Sequence, residues 1–160
     1  MKFSDFILVD SIVTKLEATT KEGVIREMVQ ALSSAGGFPK SEVDNIIAKV
    51  IEREELGTTA IGRGIAIPHA RYEAVDAIVG TVGISPEGVD FDSLDCEKVN
   101  LCFLLVTPPS QQEEHIKALR HITTQLKNEG FCRYLLQSYT REDILHLLNE
   151  ADDGEYLSRD

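Results

Sequence analysis

The sequence has few basic residues, no long apolar run and no secretory signal, and each absence excludes a class of protein. Only 16 Lys and Arg stand against 27 Asp and Glu, for a net charge of −11. Nucleic-acid binders present basic patches, so we expect no nucleic-acid partner, and the charge favours a basic protein partner instead. No apolar run approaches the roughly 18 residues of a membrane-spanning helix, and we expect no direct membrane insertion.

Paired cysteines are also missing. The three cysteines, Cys96, Cys102 and Cys132, form no CxxC pair and cannot all be bridged to one another, which suits a reducing compartment. Cys102 lies inside the apolar run VNLCFLLV and is expected to be a core thiol. We therefore expect a cytoplasmic protein.

Several motifs of metal proteins and enzymes do not occur. There is no HExxH or paired-carboxylate pattern, and His115 and His121 are six positions apart and so lie on different faces of a helix. The glycines at 62–64 lack the lysine and hydroxyl of a nucleotide-binding loop, and no GxSxG motif occurs. We expect no metal and no cofactor.

The length of 160 residues and the apolar content of 42% fit one domain with its own core, which we place at 1–150, followed by a polar, frayed tail at 151–160. Apolar spacing and capping residues predict four helices: one that starts at the capping-box spacing of residues 19–22 and is stopped by Gly36, one capped by Ser41 and ending near Arg53, one at 111–127, and one beginning at Thr140. Strands are predicted at 65–67, 77–84, 99–106 and near 12–16. Helices that alternate with strands favour a layered α/β domain.

Residues 57–69, GTTAIGRGIAIPH, combine a glycine-punctuated loop, a short apolar strand and a proline. Pro68 lacks a backbone donor and should end the strand, which places His69 at a strand end. A neutral imidazole held there can bind a metal, move a proton or attack phosphorus. The motif by itself leaves these alternatives open.

Helical geometry predicts which of the other polar candidates face the core, because successive side chains of a helix point in directions about 100° apart around its axis. His115 falls on the side of Leu119 and Ile122 and should face the core, whereas His121 and His146 should face solvent. Ile116 and Leu126 are also expected to point inward.

Arg53 lies in line with Ile46, on the apolar side of the second predicted helix. Either its stem packs while its head pairs with Glu54 or Glu55, or Arg53, His69 and His115 converge on one shallow pocket. Phosphoryl transfer would use the second arrangement, because a guanidinium, a second histidine and loop amides can hold the phosphoryl oxygens. A hydrolase would also need a fixed base for water, and the sequence offers no evident one.

The segment REELGTTAIGRGIAIPHAR at 53–71 resembles the active-site signature of the fructose/mannitol-type enzyme IIA domains of the bacterial phosphoenolpyruvate-dependent phosphotransferase system, including their nitrogen-regulatory members. The segment LLVTPPSQQEEHIKAL at 104–119 resembles the part of that family that bears a second active-site histidine. The pair Ala70-Arg71 stands where many members have Gly-Lys. The resemblance covers nearly the whole chain and implies a mixed, mostly parallel sheet of about five strands, flanked by helices on both faces.

The resemblance also implies roles for residues. His69 corresponds to the histidine that accepts a phosphoryl group on its ring nitrogen remote from the backbone, and His115 and Arg53 correspond to its catalytic companions. A phosphoryl-binding loop is expected at Gly57, Thr58, Thr59 and Gly64.

The implied donor is the phosphohistidine of HPr or its nitrogen-branch analogue. The implied acceptor is a cysteine of an enzyme IIB, reached on a separate protein because no IIB or IIC segment is recognisable; alternatively, the phosphorylated state is itself a signal. The free-standing form favours regulation. Two alternatives stay open: an interaction module that binds a kinase, channel or transcription regulator, and an unrelated histidine hydrolase or metal protein.

Overall fold

Five strands form a central sheet, and helices cover both of its faces. The structure is a computed structural model and describes residues 1–157. The strands are β1 (Ala60–Gly62), β2 (Ile65–Ala66), β3 (His69–Arg71), β4 (Val79–Val89) and β5 (Val99–Thr107). The helices are α1 (Lys21–Ser34), α2 (Val43–Glu55), α3 (Gln112–Leu126), α4 (Glu129–Leu136) and α5 (Arg141–Asp152). Short 3₁₀ helices occur at Phe3–Asp5, Val9–Ser11 and Lys40–Glu42.

Strand β5 is the centre of the sheet. It pairs with β4 in antiparallel orientation along one side, and with both β2 and β3 in parallel orientation along the other. Strand β1 pairs with β2 in antiparallel orientation. The predicted α/β domain with a mixed five-stranded sheet is confirmed. Strand β3 has β5 as its one partner among residues 1–157, so its free side forms an edge of the sheet.

The core has two halves, because β5 is buried on both faces, as its apolar run predicted. Leu101, Phe103 and Leu105 pack toward helices α3 to α5 and the amino-terminal segment. Cys102 and Leu104 pack toward α1 and α2. Cys102 is the core thiol that the sequence predicted, and burial raises the pKa of its thiol far above the ordinary value.

Local sequence signals account for most helix starts. The Thr20 side chain accepts a hydrogen bond from the amide of Gly23 at the start of α1, and Thr140 forms a capping box at the start of α5. The predicted cap at Ser41 is wrong, because a 3₁₀ turn comes first and α2 begins after Glu42 without a side-chain cap. Helix α4, which Asn128 caps, was not predicted, because it is short and contains Gly130.

Packing corrects several solvent assignments. His121 is not solvated: its Nε2 lies 2.9 Å from a carboxylate oxygen of Asp152, and its ring contacts that of Phe3 in a tilted arrangement, at 4.5 Å between centroids and 59° between planes. His146 is exposed, as predicted, and Ile116, predicted to point inward, is 44% exposed.

The predicted fraying of the tail is wrong at its start, because α5 continues to Asp152 and Ala151 is buried. Residues 158–160 of that tail lie outside the described residues, and the boundary at 150 stays a prediction. The predicted strand near 12–16 is reduced to one isolated bridge, between Val13 and Gly83. No helix within 1–157 is both long enough and apolar enough to cross a membrane.

Candidate functional site

His69 is the first residue of β3, directly after a break in the parallel pairing along β5. Pro68 has no N–H to donate, but its carbonyl accepts a hydrogen bond from Leu105 at 3.0 Å, so the chain stays against β5 through the break. Strand β2 ends at Ala66, one residue earlier than predicted, and His69, predicted to lie at the end of that strand, starts a second short strand after Pro68. The side chain of His69 is half-buried at the sheet edge.

The His69 ring has one nitrogen tied and one free. Its Nδ1 lies 2.9 Å from the carbonyl oxygen of Ile67, which can only accept, so Nδ1 carries the hydrogen and Nε2 carries the lone pair. Burial and the positive charges of Arg53 and Arg71 lower the pKa of His69 despite this hydrogen bond. The ring is therefore neutral near pH 7, which is the state in which Nε2 is a nucleophile.

His115 lies beside His69, in the first turn of α3. The two ring centroids are 5.2 Å apart, and the ring planes are inclined at 61°. His115 is 3% exposed, and its Nδ1 is 2.7 Å from the hydroxyl oxygen of Thr107, the last residue of β5. Burial, followed by the charges of His69 and Arg71, lowers the pKa of His115 to about 4. His115 is therefore also neutral near pH 7.

Arg53 reaches the same place from the last turn of α2. Its Nη1 donates a hydrogen bond of 2.9 Å to the carbonyl oxygen of Gly57, so the charged head is held by a neutral acceptor rather than by Glu54 or Glu55. A cation in the last turn of a helix is also favoured by the helix dipole.

A shallow cavity of about 300 Å³ brings Arg53, His69 and His115 together. The cavity opens at the free edge of β3, where α2 from one face of the sheet and α3 from the other come closest to the strand end. The remaining residues that line it are Lys49, Glu52, Leu56, Ala70 and Arg71. Of the two arrangements that the sequence left open for Arg53, the structure therefore has the convergent one.

Positively charged side chains predominate around the cavity, although the protein as a whole is acidic. Lys49, Arg53 and Arg71 line it together with a single carboxylate, Glu52. Lys49 lies 3.5 Å from that carboxylate, which leaves the two guanidinium groups to face the cavity. The net charge of −11 therefore does not describe this site, which suits a dianionic group such as a phosphoryl.

The glycine-rich loop beside the cavity is organised by Glu54, which sequence reasoning did not single out as a site residue. Its carboxylate accepts hydrogen bonds from the hydroxyl and from the amide of Thr59, the latter at 3.0 Å, and it lies 3.2 Å from the ammonium group of Lys21. Burial by itself would raise the pKa of Glu54, but these hydrogen bonds and the Lys21 charge outweigh it, and the pKa is lowered. Glu54 is therefore an ionised anchor for the loop.

The four predicted loop residues do not line the cavity. Gly57 supports Arg53 through its carbonyl group, and Thr59 is bonded to Glu54. Gly64, at a φ of +77° that favours glycine, approaches β5, where its carbonyl oxygen accepts from the amide of Leu101. Direct contact between this loop and a phosphoryl group stays a prediction.

Sequence reasoning also missed Thr107. It had one available signal, which is a hydroxyl residue ending an apolar strand eight positions before a core-facing histidine. Within residues 1–157, no three His, Cys, Asp or Glu side chains are grouped so as to hold a metal ion.

Comparisons with known proteins identify the family of the chain. Residues 5–151 match the family model described as "Phosphoenolpyruvate-dependent sugar phosphotransferase system, EIIA 2". The fructose-specific EIIABC component of Bacillus subtilis is 32% identical over 95% of this chain, which spans only 24% of that protein. The nitrogen regulatory protein of Bradyrhizobium diazoefficiens is 29% identical over 92% of this chain and 95% of its own length.

A solved structure shares the fold. The crystal structure of nitrogen regulatory protein IIA-Ntr from Neisseria meningitidis superposes with a TM-score of 0.81, at 25% identity, and covers 91% of this chain and 98% of its own. Since the family model matches nearly all of the chain, the protein belongs to the EIIA 2 family of the phosphoenolpyruvate-dependent sugar phosphotransferase system.

Proposed function

We propose that this protein is a cytoplasmic phosphocarrier that accepts a phosphoryl group on Nε2 of His69. The donor is the phosphohistidine of HPr or of its nitrogen-branch analogue, and the phosphoryl group passes on to an enzyme IIB. The observation that carries the proposal is the His69 ring itself: Nδ1 is tied to Ile67, and the bare Nε2 belongs to a ring that lines a cationic cavity.

The transfer needs no movement of a proton. The N–P bond of the donor breaks as the bond from phosphorus to Nε2 of His69 forms, and the electron pair of the broken bond returns to the donor ring. Each ring keeps the hydrogen on its other nitrogen. The His69 ring becomes positive as it takes the phosphoryl group, and the Ile67 carbonyl, which accepts from Nδ1, stabilises that charge.

The surrounding groups act on the phosphoryl oxygens. The guanidinium of Arg53, held at Gly57, and a donor from His115 stabilise the charge on these oxygens during transfer. Arg71 adds a second guanidinium from the same strand as His69. In the loop at Gly57, Thr58, Thr59 and Gly64, the carbonyl group of Gly57 holds Arg53, and the bond from Thr59 to Glu54 keeps the loop in place.

Intact-mass measurement tests the proposal. The protein is incubated with phosphoenolpyruvate, enzyme I and either HPr or the nitrogen-branch carrier, and we expect the mass gain of one phosphoryl group. His69→Ala should show no gain. His146→Ala is the matched control, because that imidazole lies exposed on α5 and outside the cavity, and it should be labelled like the wild type. Equal labelling of both variants would disprove the assignment of His69.

A regulatory role is the second candidate, and the similarity to nitrogen regulatory proteins favours it. In that role the phosphorylated and unphosphorylated forms differ in affinity for a kinase, a channel or a transcription regulator, and phosphate does not move further. Mixing the phosphorylated protein with cysteine-bearing IIB domains separates the two roles. Loss of the label to a IIB domain supports the carrier, and persistent label with every IIB of the same organism supports regulation.

A further inference from the structure

The buried pair of Thr107 and His115 has an unusual hydrogen-bond requirement. Thr107 is fully buried at the end of β5, and its hydroxyl oxygen is 2.7 Å from Nδ1 of His115. This is the one hydrogen bond of the Thr107 hydroxyl within residues 1–157. The contact links the last residue of the central strand to the first turn of α3, immediately behind the cavity.

The single contact decides where the hydrogen atoms lie. If Nδ1 of His115 donated to the hydroxyl oxygen, the hydrogen of that hydroxyl would have no acceptor among the described residues. A buried donor without a partner is costly, whereas an oxygen that donates once and leaves lone pairs unused is tolerated better. The favoured arrangement therefore has Thr107 donating to Nδ1, and the hydrogen of the neutral ring is then on Nε2.

The other nitrogen of His115 has access to the cavity. Within residues 1–157, Nε2 of His115 has no hydrogen-bond partner. The side-chain N and O atoms of this part of the chain that are both enclosed and without a partner are Thr81 Oγ1 and Gln125 Oε1, so Nε2 of His115 is not among them. Nε2 is therefore not enclosed, and the ring to which it belongs lines the cavity beside His69.

We propose that Thr107 is a positioning residue that selects the Nε2–H form of His115, so that a neutral ring presents a hydrogen-bond donor to the phosphoryl group on His69. Without this selection, part of the His115 population would turn a lone pair toward the phosphoryl oxygens and repel them. The inference rests on the proposed phosphocarrier function for its consequence, but the hydrogen placement is a property of the unphosphorylated protein.

The first test measures that hydrogen placement directly. Long-range proton–nitrogen correlation spectra of the histidine rings are recorded at neutral pH on the full chain, with His115 assigned by a His115→Gln variant. We expect His115 in the Nε2–H form, with the resonance of its Nδ1 displaced by an accepted hydrogen bond. The exposed His146 provides a reference for the Nε2–H form, because its Nε2 lies 2.7 Å from a carboxylate oxygen of Glu150. An Nδ1–H form of His115 would overturn the proposal.

The second test uses matched threonine variants. Thr107→Val removes the hydroxyl with little change of shape and should move the Nδ1 resonance to that of an unbonded nitrogen, whereas Thr107→Ser should resemble the wild type. Thr81→Val is the control, because it removes a buried strand hydroxyl that has no partner among the described residues. Thr107→Val should slow phosphorylation of His69 about three- to tenfold, while Thr81→Val and Thr107→Ser stay within twofold.

The results separate this inference from the proposed function. Wild-type phosphorylation rates in Thr107→Val, or equal slowing in Thr81→Val, would overturn the positioning role while leaving the phosphocarrier intact. Should the wild type never take up phosphate, the proposed function fails, and the spectra still decide the placement of the hydrogen. Should Thr107→Val not fold, the spectra of the wild type and of Thr107→Ser decide the question alone.

Discussion

Helix α3 carries two histidines, one in its first turn and one in its interior, in two different chemical situations. Near the first turn, His115 is buried against the neutral hydroxyl of Thr107 and lines the cavity with His69. Further along, His121 lies against the carboxylate of Asp152 and the ring of Phe3. The partner, not the imidazole, decides what each histidine can do.

The carboxylate of Asp152 makes the surroundings of His121 a structural clamp, by which we mean the contacts of Asp152 with His121, Phe3 and Ser4. Asp152 also accepts hydrogen bonds of 2.7 and 3.1 Å from the amides of Phe3 and Ser4, so His121 is one of three groups that tie α5, α3 and the amino-terminal segment together. A hydroxyl partner leaves the cavity end without such a charge, and His115 stays neutral and available to a phosphoryl group.

The largest expected difference between the two histidines is in the rate of phosphorylation. His115→Ala should slow phosphorylation of His69 by about 100- to 1000-fold, equivalent to about 3–4 kcal/mol, because a preorganised donor to the phosphoryl oxygens is lost. His121→Ala should leave the rate within about twofold. Single-turnover phosphorylation by the phosphorylated carrier measures both. Similar rates for the two variants would mean that His115 and His121 do not differ in their effect on phosphorylation.

The second prediction concerns pH. His115 has a pKa of about 4 in the folded protein against an ordinary value of 6.5, so the unfolded chain binds the proton more readily between these values. The neutral, buried His115 therefore contributes about 3 kcal/mol to the free energy of unfolding above pH 6.5. This contribution is lost as the pH falls to about 4.

Urea denaturation at several pH values checks this prediction. The lowered pKa of His69 acts in the same direction, so the decisive quantity is the difference between the wild type and His115→Gln. The stability of His115→Gln should fall less between pH 6.5 and 4, and parallel curves for the two proteins would contradict the assignment.

The third prediction weakens the clamp at its centre. Asp152→Ala leaves the amides of Phe3 and Ser4 and the ring of His121 without their shared acceptor and should lower the free energy of unfolding by about 2 kcal/mol. Phosphorylation under folding conditions should not change. Denaturation curves together with phosphorylation rates test both parts, and a large loss of rate would connect the clamp to the site.

The smallest effect is expected for the histidine of the clamp. His121→Gln keeps a donor near Asp152 but loses the tilted ring contact with Phe3, and the free energy of unfolding should fall by about 1 kcal/mol. Thermal unfolding measures the change, with the exposed His146→Gln as the control. No difference between these variants would mean that His121 contributes nothing measurable.

Features that depend on neighbours in the chain could be predicted from the sequence. The start of α5 at the Thr140 capping box and β5 as a strand buried on both faces are present in the structure. Helix α1 also starts at the predicted threonine pair, with Thr20 rather than Thr19 as its cap. Such features follow from hydrogen bonds between residues close in the chain and from the spacing of apolar residues, and both can be recognised in the sequence.

Features that depend on distant partners could not be predicted. Helical spacing predicts that His121 faces solvent, because it contains no information on Asp152, which lies 31 residues further along the chain. Strand β3 has three residues and is recognisable only through its pairing with β5. Thr107 was missed because its role exists only in contact with His115.

The residue types of the candidate site and the family signature that contains them can be read from contiguous segments of the sequence. Tertiary structure decided that Arg53, His69 and His115 share one cavity and that Nε2 of His69 is the free nitrogen. The reason is physical: convergence at a sheet edge and the placement of a hydrogen on a ring depend on groups that come together only when the strands pair and the helices pack.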